Sequence, residues 1–190
     1  MTVIAGSDPS DPATAEADAR KTDYAAALSP GALKGKRIGV LRDRVGDRAD
    51  VAALFDAALK QMTGLGATLV EIADSRKGTE GLGAAEFEIL MTEFKADLAT
   101  YLQTLPTAAT PKTLADVIAF NKAHPEELKW FDQSLFELAE SKGGLDSPAY
   151  LAAREKAARL AGPEGIDRLL KAHDVDLLVD TGNELAMLEV

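Results

Sequence analysis

The sequence predicts an α/β fold in which most of the chain is helix, packed on a small parallel or mixed sheet. Three observations carry that prediction: a strand–helix–strand unit over residues 36–72, a helical apolar period running almost unbroken from Ala84 onward, and a short apolar run at 175–179.

The unit opens with Lys36-Arg37-Ile38-Gly39-Val40-Leu41, a short strand. Asp50 is the expected N-cap of the helix that follows. Val51, Leu54, Phe55, Ala58, Leu59 and Met62 recur there at the i, i+3, i+4, i+7 spacing of one helix face. Gly64 and Gly66 stop that helix, and Ala67-Thr68-Leu69-Val70-Glu71-Ile72 is a second strand. Two strands joined through a helix run parallel.

Phe87, Leu90, Met91, Phe94, Leu98, Tyr101, Leu102 and Leu105 then form one stripe, ended by Pro106. Thr113 and Asp116 have capping-box spacing ahead of Leu114, Val117 and Ile118. His124-Pro125 starts a further helix, expected to turn Leu128, Phe131, Leu135 and Leu138 inward, with Trp130 beside it as core or interface. Gly143-Gly144 breaks it, and Ser147-Pro148 caps a helix reaching about Ala161. Gly162-Pro163 separates that helix from a short one carrying Ile166, Leu169 and Leu170. Val175-Asp176-Leu177-Leu178-Val179 is the third strand. The domain organisation is an extended lead-in over 1–30, rich in Asp, Pro, Ser and Ala, an α/β domain over 31–180 and a tail over 181–190.

Composition narrows the function classes. A net charge of −10 argues against a nucleic-acid partner, which requires a basic surface. From Lys34 to Arg48, six cations (Lys34, Lys36, Arg37, Arg42, Arg44, Arg48) face only Asp43 and Asp47, a stretch suited to an anion or, more simply, a solvated strand end and turn. No run approaches the roughly 20 apolar residues that span a bilayer, and Met1-Thr2-Val3-Ile4-Ala5-Gly6 has neither a basic nor an apolar leader region. No membrane partner and a cytoplasmic address are therefore expected. Without cysteine there is no disulfide and no thiolate.

The chemistry-bearing residues are scattered. Ser7, Ser10, Ser29, Ser75, Ser134, Ser141 and Ser147 all lie outside any G-x-S-x-G elbow, and Ser147 reads as a cap. His124 and His173 lack metal-ligand spacing and suit helix ends. Gly78, Gly81 and Gly83 precede the long helix without completing a phosphate-loop or dinucleotide pattern, so a flexible connection is the simpler reading. Glu86, Glu88 and Glu93 are near in sequence, but Glu86 and Glu88 point to different faces. No catalytic, cofactor-binding or metal-binding residue is assigned, and no cofactor is expected.

A resemblance extends this reading. Ile4-Ala5-Gly6-Ser7-Asp8-Pro9-Ser10-Asp11-Pro12-Ala13-Thr14 is similar to the segment that follows the signature region in amidase-signature hydrolases. Asp23-Tyr24 with Leu33-Lys34-Gly35-Lys36-Arg37-Ile38-Gly39-Val40 is similar to that family's strand, and Glu93-Phe94-Lys95-Ala96-Asp97-Leu98 with Tyr101-Leu102 to its long helix. Thr113 to Asn121 and Gly165 to Leu170 continue the likeness in order. The resemblance, to bacterial amidases of broad or peptide-amide type, implies a partial amidase-signature fold and an ancestral hydrolysis of carboxylic amide bonds. It implies that the family's serine nucleophile, cis-serine and lysine base lie upstream of the Ile4-Ala5-Gly6 segment, so that no catalytic residue transfers. It makes Glu88, Phe94 and Phe131 remote candidates for the mouth of a substrate funnel. The expected function is a truncated or split amidase-family protein, inactive alone, that pairs with a separately encoded catalytic half or self-associates. The alternative is a non-catalytic binding or assembly module.

Overall fold

A computed structural model describes residues 4–26, 28–106 and 111–182. The lead-in forms a 3₁₀ turn at Pro12–Thr14, where the Asp11 carboxylate accepts the Ala13 N–H, and one turn of helix, α1 (Ala17–Arg20). It buries no residue in these elements, as the dense Asp, Pro and Ser content anticipates. From residue 183 on, the expected tail lies outside the described residues.

Among the described residues three strands make an all-parallel sheet: β1 (Arg37–Leu41), β2 (Thr68–Ile72) and β3 (Leu177–Val179), in the order β2-β1-β3. Ile38 lies opposite both Leu69 and Leu177, and Val40 opposite both Glu71 and Val179. Helix α2 (Ala49–Gly64) covers one face, packing Phe55 and Leu59 on Val40 and Val45. On the other face α7 (Asp167–His173) sets Leu169 against Leu41 and Ile72. The central strand β1 is therefore sealed on both faces, the environment that selects a continuous apolar strand.

Gly39 sits in the middle of that strand for a steric reason. A β-carbon there would stand 2.7 Å from Leu178 Cδ2, 3.0 Å from Ile72 Cδ1 and 3.2 Å from Val175 Cγ2. The neighbours already occupy the space that a side chain needs.

The long helix α3 (Leu82–Thr104) leaves the sheet and organises the rest. Helices α4 (Leu114–Ala123) and α5 (Ser134–Glu140) pack on one side of it through Met91, Leu114, Ile118 and Ala139, with the Phe94 and Phe136 rings 5.5 Å apart. Helix α6 (Pro148–Ala161) packs on another side, where Ala153 and Ala157 let it approach Ala85. The expected caps at Thr113–Asp116 and Ser147 are present. Among the described residues no helix is long and apolar enough to cross a membrane.

Several expectations are corrected. Arg48, not Asp50, is the N-cap of α2; Asp50 lies in the first turn, where a carboxylate still favours the helix dipole, and accepts Arg48 at 2.6 Å. Leu54, Leu90 and Tyr101 belong to apolar stripes but are exposed, because each lies off the line that meets the sheet (Leu54) or a neighbouring helix (Leu90, Tyr101). The helix expected from Pro125 shrinks to a 3₁₀ turn at Pro125–Leu128. The Asp132 carboxylate accepts both the N–H (2.9 Å) and the hydroxyl (2.6 Å) of Ser134, which starts α5 late and leaves Phe131 83% exposed rather than inward; Trp130, 79% exposed, is not in the core. Leu135 and Leu138 are exposed too. Gly162-Pro163 does not separate α6 from α7: a π-helical turn, Gly162–Ile166, joins them. Gly165 permits that turn, since a β-carbon on it would collide with the Leu160 carbonyl oxygen.

The sheet is closed at its lower end by Asp176, whose carboxylate accepts the Arg37 N–H at 2.8 Å and lies 3.5 Å from Lys36 Nζ. The Arg37 hydrogen bond, then the Lys36 charge, holds the Asp176 carboxyl below its ordinary value of 3.8. With the folded value depressed, this stabilisation is complete above pH 3.8 and disappears as the pH falls through the folded value.

Gly39→Val overpacks a sealed strand and lowers stability by about 1–3 kcal/mol or more, read as a shifted urea midpoint. Asp176→Asn shows a smaller loss of urea midpoint than the wild type between about pH 5 and about pH 3. An equal loss in both would remove Asp176 from the acid limb.

Candidate functional site

At the carboxyl ends of the three strands the chain turns away in three directions, leaving a crevice of about 320 Å³. In open parallel sheets this end is where ligands bind. Its walls are Leu41, Leu160, Leu169, Leu178 and Val179, with Arg44, Ser75, Thr79 and Asp180 as polar members.

Ser75 is the node of this end. It follows β2, is 1% exposed, and ties together turns that are distant in sequence. Its N–H and its hydroxyl both donate to Asp43 Oδ2, at 2.9 and 3.0 Å. Arg44 Nε donates to the Ser75 Oγ at 2.9 Å, and Arg168 Nη2 donates to the Ser75 carbonyl at 3.4 Å. Arg168 also holds the π-turn through Nε to the Glu164 carbonyl at 2.8 Å. The Thr181 hydroxyl donates to the Arg44 carbonyl at 3.3 Å. One buried serine thus joins the exits of β1 and β2 to α7. Sequence reasoning misses this role, because Ser75 sits in no motif; the only signal is its position a few residues past a strand.

The hydroxyl of Ser75 is used within the fold, donating to Asp43 and accepting from Arg44. A serine that attacks a carbonyl needs a neighbour able to take its proton and a path for the substrate. Here the hydroxyl proton is directed at a carboxylate, the oxygen already accepts a guanidinium, and the side chain is buried. Other serines are likewise engaged. Ser7 donates to Asp18 and Ser134 to Asp132, Ser141 donates to the Leu138 carbonyl, and Ser147 accepts the Tyr150 N–H.

The remaining candidates go to separate uses. Glu88 is paired with Lys142 at 2.6 Å, Phe94 is spent in the helical core, and Phe131 stands exposed on the turn before α5. Glu93 accepts the Tyr150 hydroxyl at 2.6 Å, clamping α6 to α3 and pushing the phenol above its usual value. Glu86 is exposed on a different face. His124 ends α4, its Nδ1 2.9 Å from the Phe120 carbonyl, and His173 lies in the last turn of α7, as expected for helix-end residues. The Gly78 N–H donates to Glu80 at 3.0 Å, and this bond holds the Glu80 carboxyl down, so that glycine turn carries its own anion. The basic stretch is matched locally: Arg42 forks onto Glu71 at 3.0 and 3.0 Å and reaches Asp56 at 2.7 Å, while Arg48 pairs with Asp50. Among the described residues no group of three or more His, Cys, Asp or Glu is placed to hold a metal ion.

The fold recurs in solved proteins. A native peptide amidase from Stenotrophomonas maltophilia is 43% identical, with a TM-score of 0.76, over 93% of this chain and 36% of that one. The chain is homologous to the amidase-signature family. An amidase family protein from Bacillus anthracis shares the fold at a TM-score of 0.66, with 23% identity, over 93% of this chain and 34% of that one. Among curated proteins, a glutamyl-tRNA(Gln) amidotransferase subunit from Thermosynechococcus vestitus is 39% identical over 101 residues, 52% of this chain and 20% of that protein. The same subunit from Mycobacteroides abscessus is 40% identical over 104 residues, again 52% of this chain and 20% of that protein. No protein-family model matches the chain. The partial coverage is consistent with the C-terminal region of the amidase-signature family. The chain spans about a third of the length of the solved amidases it matches and about a fifth of the curated relatives.

For this piece of amidase fold, Ser75→Ala removes one hydroxyl, and with it the bond from Arg44 and one of the two to Asp43. Stability falls by about 0.5–1.5 kcal/mol. Calorimetry that finds the variant as stable as the parent would reduce Ser75 to a space-filler.

Proposed function

We propose that these 190 residues serve amide-bond hydrolysis as the downstream part of an amidase, with the reacting serine and its base supplied by a segment outside them, and that they do not hydrolyse amides alone. The environment of Ser75 supports this reading most directly. This buried serine has its hydroxyl committed to Asp43 and Arg44. The peptide amidase likeness supports amides as the substrate class. It also fits a division of labour, since the matched region is 36% of that enzyme.

In this division the present residues supply walls. The three strand ends and the α6–α7 turn form a rigid apolar crevice, and α3 to α5 present exposed aromatic side chains. Positioning of a bound amide is a contribution such walls make, and it acts only when a nucleophile is placed against the substrate. A cytoplasmic setting is part of the proposal and agrees with a chain free of cysteine.

The test is ammonia release from small aryl amides and peptide amides. The isolated chain gives no turnover above the buffer background. Co-expressed with the unmatched part of the Stenotrophomonas maltophilia peptide amidase, it restores turnover that is lost when that part's nucleophile is replaced. Turnover by the isolated chain, persisting in Ser75→Ala and in the other single serine-to-alanine variants, would overturn this reading, because the chain would then carry a reacting group of its own.

A further inference from the structure

The chain leaves β3 by a turn that is tied down twice. The Asp180 carboxylate accepts the Gly182 N–H at 2.7 Å, and the Thr181 hydroxyl donates to the Arg44 carbonyl at 3.3 Å. Gly182 has a φ of +60°, the left-handed conformation that glycine adopts without steric cost. A carboxylate that accepts the N–H two residues on is a turn-forming device, and here it acts at the wall of the crevice, which Leu178, Val179 and Asp180 all line. The direction in which the chain departs is thus set beside an apolar surface.

The next segment, outside the described residues, reads Asn183-Glu184-Leu185-Ala186-Met187-Leu188-Glu189-Val190. In an extended segment Leu185 and Met187 share a face, and in a helical turn Leu185 and Leu188 do. Either conformation brings a pair of large apolar side chains to one surface. The crevice has the matching surface: Leu160, Leu169, Leu178 and Val179 wall it, and Ile166 stands 57% exposed at its mouth. Burying the two together is favourable in proportion to the apolar area removed from water. Charge agrees with this placement. Glu184 lies three residues past Thr181, about 10 Å of chain at most, which brings its carboxylate within reach of Arg44 at the polar rim.

We infer that residues 183–190 fold back over the strand ends and seat Leu185 in the crevice, so that the chain closes this surface with its own tail. Place and composition select this occupant. The segment starts at the crevice wall, so its effective concentration there is on the order of millimolar, which a separate molecule has to exceed. The exposed aromatic pair Trp130 and Phe131, by contrast, stands on the turn before α5, in the helical layer built on α3. The inference does not rest on the functional reading. Under that reading, an amide enters the crevice only when the tail moves aside.

The experiment uses the full 190-residue chain, whose lack of cysteine makes Val190→Cys the single attachment site for a nitroxide label. In methyl spectra of the labelled chain, Leu160, Leu169 and Leu178 lose intensity that returns when the nitroxide is reduced, whereas Leu135 and Leu138 on α5 keep theirs. Leu185→Glu weakens the docking about tenfold or more, and the crevice methyls recover accordingly. A second measurement needs no label. Ending the chain at Gly182 uncovers the crevice, so binding of the dye ANS rises about twofold or more with an unchanged far-UV circular dichroism spectrum. A tail that stood in solvent would instead take dye-binding surface away with it. Crevice methyls that keep their intensity, broadening centred on α5, or dye binding that falls on truncation overturns the inference. Broadening that appears in an isotope-enriched, unlabelled chain mixed with a labelled, unenriched one assigns the contact to a second copy and overturns it as well.

Discussion

Everything in this molecule is arranged around a strand that has no free side. β1 has a parallel neighbour on each edge and a helix on each face, so each of its side chains must fit space defined by four other elements. Gly39 is where that fit is tightest, with Leu178, Ile72 and Val175 filling the volume of the absent side chain. The close approach draws β3, the last of the three strands in chain order, onto the first. It thereby closes a long path through the helices, and α3 to α6 can be viewed as the connection that this closure has to accommodate. The α6–α7 junction shows the accommodation. A π-turn carries the chain from the helical layer back to the sheet without a break, and Gly165 makes the backbone contact with Leu160 possible.

Much of this is legible in the sequence because each element obeys one dominant constraint. The strands lie within two residues of their expected starts, because a short apolar run between glycines and charges has few other solutions. Helix α3 is legible from its period, and the Thr113 and Ser147 caps from spacing alone, since a cap depends only on residues three apart. The failures share a different cause. Periodicity identifies an apolar face but not its partner, so it turns Leu54, Leu90, Tyr101 and Phe131 inward although each is exposed, and Trp130 beside them is exposed as well. The late start of α5 depends on which of two local hydrogen-bonding choices Asp132 makes, and sequence does not rank them.

The carboxyl-end network is illegible for a deeper reason. Asp43, Arg44, Ser75 and Arg168 come from three separate segments, and no local pattern marks residues that meet only through sheet topology. The resemblance places the chain in a family and an order of segments, but it does not single out Ser75 as the residue joining them. The same topology explains why a positively charged stretch behaves neutrally. Arg42 meets Glu71 because β2 lies beside β1, and it meets Asp56 because α2 covers that face.

A reacting centre needs groups whose hydrogen-bonding capacity is left open for the substrate, and in this chain much of that capacity is consumed by the fold. The lysines illustrate the point. Lys95 Nζ donates to the carbonyls of Glu140 and Lys142 and pairs with the Glu140 carboxylate, closing the end of α5. Lys112 Nζ donates to the carbonyls of Leu102, Leu105 and Pro106, closing the end of α3 with all three of its protons. An ammonium engaged in this way cannot accept a proton from a serine, and the hydroxyls of Ser7, Ser75, Ser134 and Ser141 are directed at carboxylates or a carbonyl instead. Polar side chains spent on helix ends and strand exits make a rigid frame, and rigidity is what a catalytic centre requires of the part that does not react. Among the described residues the apolar crevice at the strand ends is lined mainly by side chains that this hydrogen-bonding leaves untouched.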